Sequence, residues 1–207
     1  MDLTKRPVKP GQCALSIAIP VTRGEFMAHA RPESRRDFVR TYAGGFPGLT
    51  TEALWRQYEP YATLVTDVAA EVEAMGVAVA WSATLADWRT AMLTRDVVTL
   101  VAHSTGGPTG VEAVEFADGL HPVDAVAGAI PSTFAGVVDL TLCRSDGPGE
   151  AIKRRHRDCL ILINKDNAKL DYRVVVYRHA MRVLRDQRAS YVDVVTRLHV
   201  DHLTAGR

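Results

Sequence analysis

The sequence is short of cysteine, of aromatic residues and of any excess of charge. Three cysteines in 207 residues stand 130 and 16 positions apart, an odd number at spacings that make neither a disulfide framework nor a zinc knuckle. Reduced thiols in a cytoplasmic protein are the expectation. Lys+Arg 25 against Asp+Glu 24 leaves a formal net charge of +1, which offers no bulk attraction for a phosphate backbone. No apolar run approaches the roughly 20 residues of a membrane-spanning helix. The first ten residues, Met1 to Pro10, are basic and lack an apolar stretch ahead of a cleavage site, so no secretory signal is expected. Secreted, membrane-spanning and zinc-ribbon proteins are thereby set aside, and nucleic acid is not an expected partner. Hydrophobic residues make up 47% of the chain, enough for one sizeable core.

The pattern along the chain has no internal repeat. Residues 13–19 form a compact apolar run stopped by Pro20, which reads as a short buried strand. Residues 23–60 mix Arg, Gly, Pro and aromatics and read as short helices with a long connection. From Tyr61 the rhythm turns regular: Leu64, Val68, Ala69, Val72 and Met75 recur at helical spacing, and Gly76 follows where such a helix would stop. Strands are expected over 77–81, 96–102, 111–116, 137–142 and 158–163, with a turn at 117–119. Helices are expected over 84–93 and 121–129, and over 170–202 with a break near 186–189. Loops are expected at 104–110 and 144–150, and the basic run Lys153-Arg154-Arg155-His156-Arg157 reads as a solvated lead into a strand. Strands alternating with helices at this spacing indicate a three-layer α/β/α sandwich with a largely parallel central sheet. The chain divides into residues 1–60, a leader with a first strand and an irregular segment, and an α/β core over 61–207, together one structural domain. Whether the first sixty residues complete the sheet stays open at this point.

In open α/β sheets, reactive groups collect at the carboxyl ends of the strands. Two expected strands end on useful side chains, one on His103 and one on Cys143. On neighbouring parallel strands, imidazole and thiol would meet at the rim of the sheet. A histidine beside a thiol yields an imidazolium–thiolate pair or deprotonates the thiol during attack, and either makes a nucleophile at neutral pH. The backbone N–H groups of Ser104 and Cys143 would then face a developing oxyanion.

The pieces Asp96-Val-Val-Thr-Leu-Val-Ala-His103, Val114-Glu-Phe-Ala-Asp-Gly119 and Val138-Asp-Leu-Thr-Leu-Cys-Arg-Ser145 resemble the caspase-like cysteine peptidases. They are most similar to the CHAT branch, caspase-like domains often associated with tetratricopeptide repeats. The similarity covers roughly residues 61–203 and rests on order and spacing more than on any one motif. There are two departures from the pattern: Ser104 stands where the family has Gly, and Thr141-Leu142 stand where it has small residues. The resemblance implies a caspase-like fold and a thiol protease in which His103 is the base and Cys143 the nucleophile. The Ser104 and Cys143 amides would be the oxyanion donors. It also implies a protein or peptide substrate, no metal or other cofactor, and a bacterial defence or conflict role under control of a regulatory protein partner. Primary specificity is not carried over. Asp139 and Asp146 are the nearest acids for a basic substrate side chain, with Asp146 the candidate substrate contact.

Two other readings stand beside this one. The same fold could serve as a catalytically inactive protein-interaction module. Alternatively, Ala102-His103-Ser104-Thr105-Gly106 matches the nucleophile elbow of α/β-hydrolases, making Ser104 the nucleophile of a serine hydrolase. Asp146 or Asp166 would then be the acid and His199 or His202 the base. Against the elbow stand the helix-poor sequence after it and the shortage of strands before it. Among the remaining candidates, Cys13 and Cys159 read as core thiols and His121 as a helix-start residue. His199 and His202 read as exposed polar positions in preference to metal ligands, and Trp55, Trp81 and Trp88 as core filling.

Overall fold

In the computed structural model, residues 2–29, 42, 44–107, 110–164 and 170–205 are described. The centre is a five-stranded parallel sheet of β1 (Cys13–Ile17), β2 (Ala78–Ala80), β3 (Val97–Val101), β7 (Val137–Thr141) and β8 (Leu160–Leu162), in the order β2-β1-β3-β7-β8. A second, antiparallel sheet is built from β4 (His103–Gly107), β5 (Gly110–Phe116) and β6 (Gly119–Pro122). The helices are α1 (Arg23–His29), α2 (Thr51–Ala74), α3 (Leu85–Thr94), α4 (Val123–Ala129), α5 (Asp146–Arg155), α6 (Leu170–Asp186) and α7 (Tyr191–Ala205). The first sixty residues do supply part of the sheet, because β1 lies in its interior between β2 and β3.

Every residue of β1, β3 and β7 is buried, as expected of parallel strands covered on both faces. Strand alternation sends Val97, Val101 and Val137 to one side, where Val65, Val68 and Val72 of α2, Val174 and Met181 of α6 and Val194 of α7 meet them. Val98, Leu100, Val138 and Leu140 go to the other side, against Trp88 and Met92 of α3, Val126 of α4 and Ile152 of α5. That is the three-layer α/β/α sandwich. A smaller aromatic cluster of Phe26, Trp55 and Tyr58 ties α1 to the first turns of α2.

Five local expectations are corrected. The helix expected from Tyr61 begins ten residues earlier, capped by the Thr50 hydroxyl on the Ala53 N–H at 3.2 Å, and runs through Pro60. A mid-helix proline removes one helical hydrogen bond. The aromatic cluster holds the preceding turns in place regardless, and the Tyr58 hydroxyl donates to the Pro20 carbonyl at 2.8 Å. Residues 146–155 are helical, although Gly147-Pro148-Gly149 looks like a loop. Pro148 falls in the first turn, where its missing N–H has no intrahelical acceptor in any case. Gly149 is required by contact, since a Cβ there would lie 2.5 Å from the Ile163 Cγ2. The small, polar residues after Ala102 form a strand and not a loop. His121 lies on β6, its Nε2 3.1 Å from the Asp118 carboxylate, and does not start a helix. Trp81 is 39% exposed and fills no core.

Candidate active site

The site is positioned by register. Strands β3 and β7 are hydrogen-bonded neighbours with Val101 opposite Thr141. His103 and Cys143 each lie two residues beyond that pair, on strands about 4.8 Å apart, at the carboxyl edge of the sheet. After Ala102 the chain leaves the parallel sheet, and His103 opens β4 of the antiparallel one. The two chain ends are tied directly, because the Ser104 hydroxyl donates to the Cys143 carbonyl at 2.8 Å. The Ser104 side chain is therefore a clamp between the two candidate segments. Cys143 is half-buried and has a free thiol. The bulky Thr141 and Leu142 before it are accommodated, both facing packed layers.

The turn after Cys143 is held from several directions. Arg144 adopts φ of +48°, a conformation non-glycine residues rarely take and one that persists only where surroundings enforce it. The enforcing groups are Ser145, wholly buried, and Asn164, which follows β8. Asn164 donates its side-chain N–H groups to the carbonyls of Leu140 at 3.1 Å and Leu142 at 3.2 Å, and its backbone N–H to the Ser145 hydroxyl at 2.7 Å. Ser145 donates in turn to the Leu140 carbonyl at 3.3 Å. Neither residue stands out in the sequence. An Asn just past an apolar strand is the one available signal, and it reads equally well as an ordinary turn.

No family model matches this chain, and no curated protein is significantly similar to it.

The other two cysteines are of a different kind. Cys13 is fully buried in β1, and burial pushes its thiol up to about 12, with Asp96 adding to the effect. Burial also raises the thiol of Cys159, which donates to the Phe134 carbonyl at 3.2 Å. Both are core thiols, as the sequence pattern implies. From the helical layer, Tyr61 reaches toward the same edge. Its hydroxyl is buried, and its phenol is pushed up by burial first and then by its electrostatic interactions with Asp171 and Cys143.

The remaining candidates separate from the site. Asp146 is exposed as the first residue of α5, three positions past Cys143. Asp139 is not a substrate contact: it is 3% exposed in β7, paired with Arg173 at 2.7 Å and accepting from the Tyr191 hydroxyl at 2.6 Å. His199 is half-buried and not an exposed polar residue, with its ring nitrogens against the Tyr172 hydroxyl at 2.9 Å and Arg173 at 2.6 Å. A guanidinium only donates, so it fixes the His199 Nε2 as an acceptor and the ring as neutral. Asp166 and the side chain of His202 lie outside the described residues. Ser104 sits within β4, and the chain goes on into β5 instead of the helix that a nucleophile elbow requires.

One residue at the edge has no counterpart in the sequence reading. Glu115 of β5 stands opposite His103 in the β4–β5 ladder and is 0% exposed.

Proposed function

We propose that the chain is a caspase-like cysteine endopeptidase that cleaves a specific protein through His103 and Cys143. The observation that supports this reading is the β3–β7 register, in which Val101 lies opposite Thr141 two residues before His103 and Cys143, together with the Ser104 hydroxyl bonded to the Cys143 carbonyl. The resemblance of 96–103, 114–119 and 138–145 to the CHAT-type caspase-like domains supports it. So does the order of elements, with a small antiparallel sheet inserted between the strand before His103 and the strand before Cys143.

On this reading the Cys143 Sγ attacks the scissile carbonyl as His103 takes the thiol proton. The Ser104 and Cys143 amides stabilise the oxyanion, and His103 returns the proton to the leaving amine. The amide bond breaks and a thioester forms. Water, deprotonated by His103, then releases the acid and restores the thiol. The reaction needs no cofactor. Its setting is cytoplasmic, in bacterial defence, with activity gated by a regulatory protein.

The test is alkylation of the intact protein by iodoacetamide at neutral pH, with Cys143→Ala and His103→Ala alongside. Fast labelling confined to Cys143, slowed at least tenfold by His103→Ala, is the expected result for an activated pair. Equal, slow labelling of Cys143 with and without His103 would overturn the peptidase and leave an interaction module. Modification of Ser104 by a fluorophosphonate would overturn it in favour of a serine hydrolase.

A further inference from the structure

We infer that a cleft at the amino edge of the sheet binds a small phosphate-bearing anion between Arg6 and Arg95. The cleft lies at the opposite end of the strands from His103 and Cys143, so the inference stands apart from the peptidase reading. It encloses about 400 Å³, within the roughly 300–1,000 Å³ of small-molecule sites. One wall is the end of α3 with Arg95 and Asp96, and the facing wall is the segment 133–136 that leads into β7. Arg6 joins them from the start of the chain.

The charges in the cleft do not cancel. Asp96 is the acid among its lining residues, and both carboxylate oxygens are engaged. Oδ1 lies 3.0 Å from the Arg6 Nη2, and Oδ2 accepts from the Gln12 Nε2 at 2.6 Å. Arg95 makes no ion pair among the described residues. Its Nε is buried without a hydrogen-bond partner, and its Nη1 reaches the Thr94 carbonyl at a long 3.4 Å. A guanidinium offers five N–H donors, so most of this fork is unused. A buried donor left unpaired is costly, and an entering acceptor would satisfy it. Two guanidiniums against one carboxylate leave the cleft net positive, and their planar forks match the paired oxygens of a phosphate. Thr133 on the facing wall adds a hydroxyl. The carbonyl end of α3 repels an anion, but charge-assisted hydrogen bonds outweigh a terminal dipole. Leu93, 60% exposed, and Phe134 give the cleft an apolar side that would cover an organic group carried by the phosphate.

The experiment is isothermal titration calorimetry of the full chain at fixed ionic strength, with phenyl phosphate and inorganic phosphate as the probes. The wild type is compared with Arg95→Gln, Leu93→Ala and Arg89→Gln, the last a charge control at an exposed position of α3. Thermal melts confirm that each variant is folded. The expected result is saturable binding that Arg95→Gln weakens about tenfold or more, as loss of a charge-assisted hydrogen bond does. Arg89→Gln should match the wild type. A preference for phenyl phosphate that Leu93→Ala removes assigns an organic ester, and equal affinities assign the free ion; either supports the site. Phenylglyoxal modification of the wild type, mapped by mass spectrometry, needs no variant. Both probes should protect Arg95 and Arg6 and leave Arg89 reactive. The inference is overturned by an absence of saturable binding at millimolar probe, or by equal weakening in Arg95→Gln and Arg89→Gln. Arg95 modified as fast with phosphate as without it overturns it too.

Discussion

Asp139 shows how a single residue's meaning depends on partners remote in sequence. On the strand leading to Cys143 an acid looks like a substrate contact, yet its guanidinium partner comes from Arg173, 34 residues on, and its hydroxyl donor from Tyr191, 52 residues on. No local pattern announces either. The pair lies under the α6–α7 layer, with Arg173 also donating to His199. Removing one member leaves the other charged and buried, so Arg173→Met should destabilise the fold by about 3–5 kcal/mol in urea denaturation. Replacing both, as Asp139→Leu with Arg173→Met, should recover much of that loss, since an apolar pair leaves no stranded charge. Equal losses in the single and double variants would show that the charges are solvated. His103 and Cys143 stand out in the sequence because their chemistry coincides with an expected strand end. Asn164 and Ser145 do not stand out, because their contacts come from a turn closed by the residue after β8.

At the scale of elements, the parallel strands and most helices could be read because their apolar periods are undiluted. The misreadings share one physical cause: glycine and proline were taken as breakers where packing or helix position tolerates them. Pro60 lies inside α2, Pro148 in the first turn of α5, and Gly106 and Gly107 in β4. Gly136, just before β7, is a glycine set by contact. A Cβ there would come 2.3 Å from the Asp96 carbonyl and 2.6 Å from the Phe134 ring. The Val137 N–H donates to that same carbonyl at 2.8 Å, which starts the β3–β7 pairing. Gly136→Ala should therefore push β7 away from β3, lowering stability by about 1–3 kcal/mol as overpacking does, or more because the clash is with backbone. On the proposed function, in which the register sets His103 beside Cys143, the same variant should slow Cys143 alkylation without touching either residue. A urea midpoint and labelling rate both equal to wild type would refute this account of how the sheet sets the site.

For the whole molecule, the layer formed by α2, α6 and α7 carries an unusual load of buried weak acids against the sheet. Cys13, Tyr177 and Tyr191 lie in that core, and Tyr61 packs against it. Among the described residues no helix is long and apolar enough to cross a membrane. Burial raises the pKa of all four groups: Cys13 to about 12, and the three phenols above their ordinary value. A raised acid stays protonated in the folded chain when the unfolded chain already ionises. The unfolded state then binds fewer protons, and stability falls as pH rises. The full contribution is present below the ordinary thiol and phenol values. It is lost first through Cys13, from about pH 9, and then through the tyrosines at about 1.4 kcal/mol per pH unit each above pH 10. Urea midpoints measured from pH 7 to 11 should hold nearly level to about pH 9 and then drop steeply. With Tyr42 and Tyr172, the less buried phenols, replaced by Phe, the 295 nm phenolate signal should appear together with unfolding and not before it. Tyr177→Phe should shift the decline toward higher pH, as it removes one ionising group without emptying the core. A phenolate signal that rises ahead of unfolding would mean that water reaches the α2–α6–α7 layer in the native state, and that the sheet is covered on one face only.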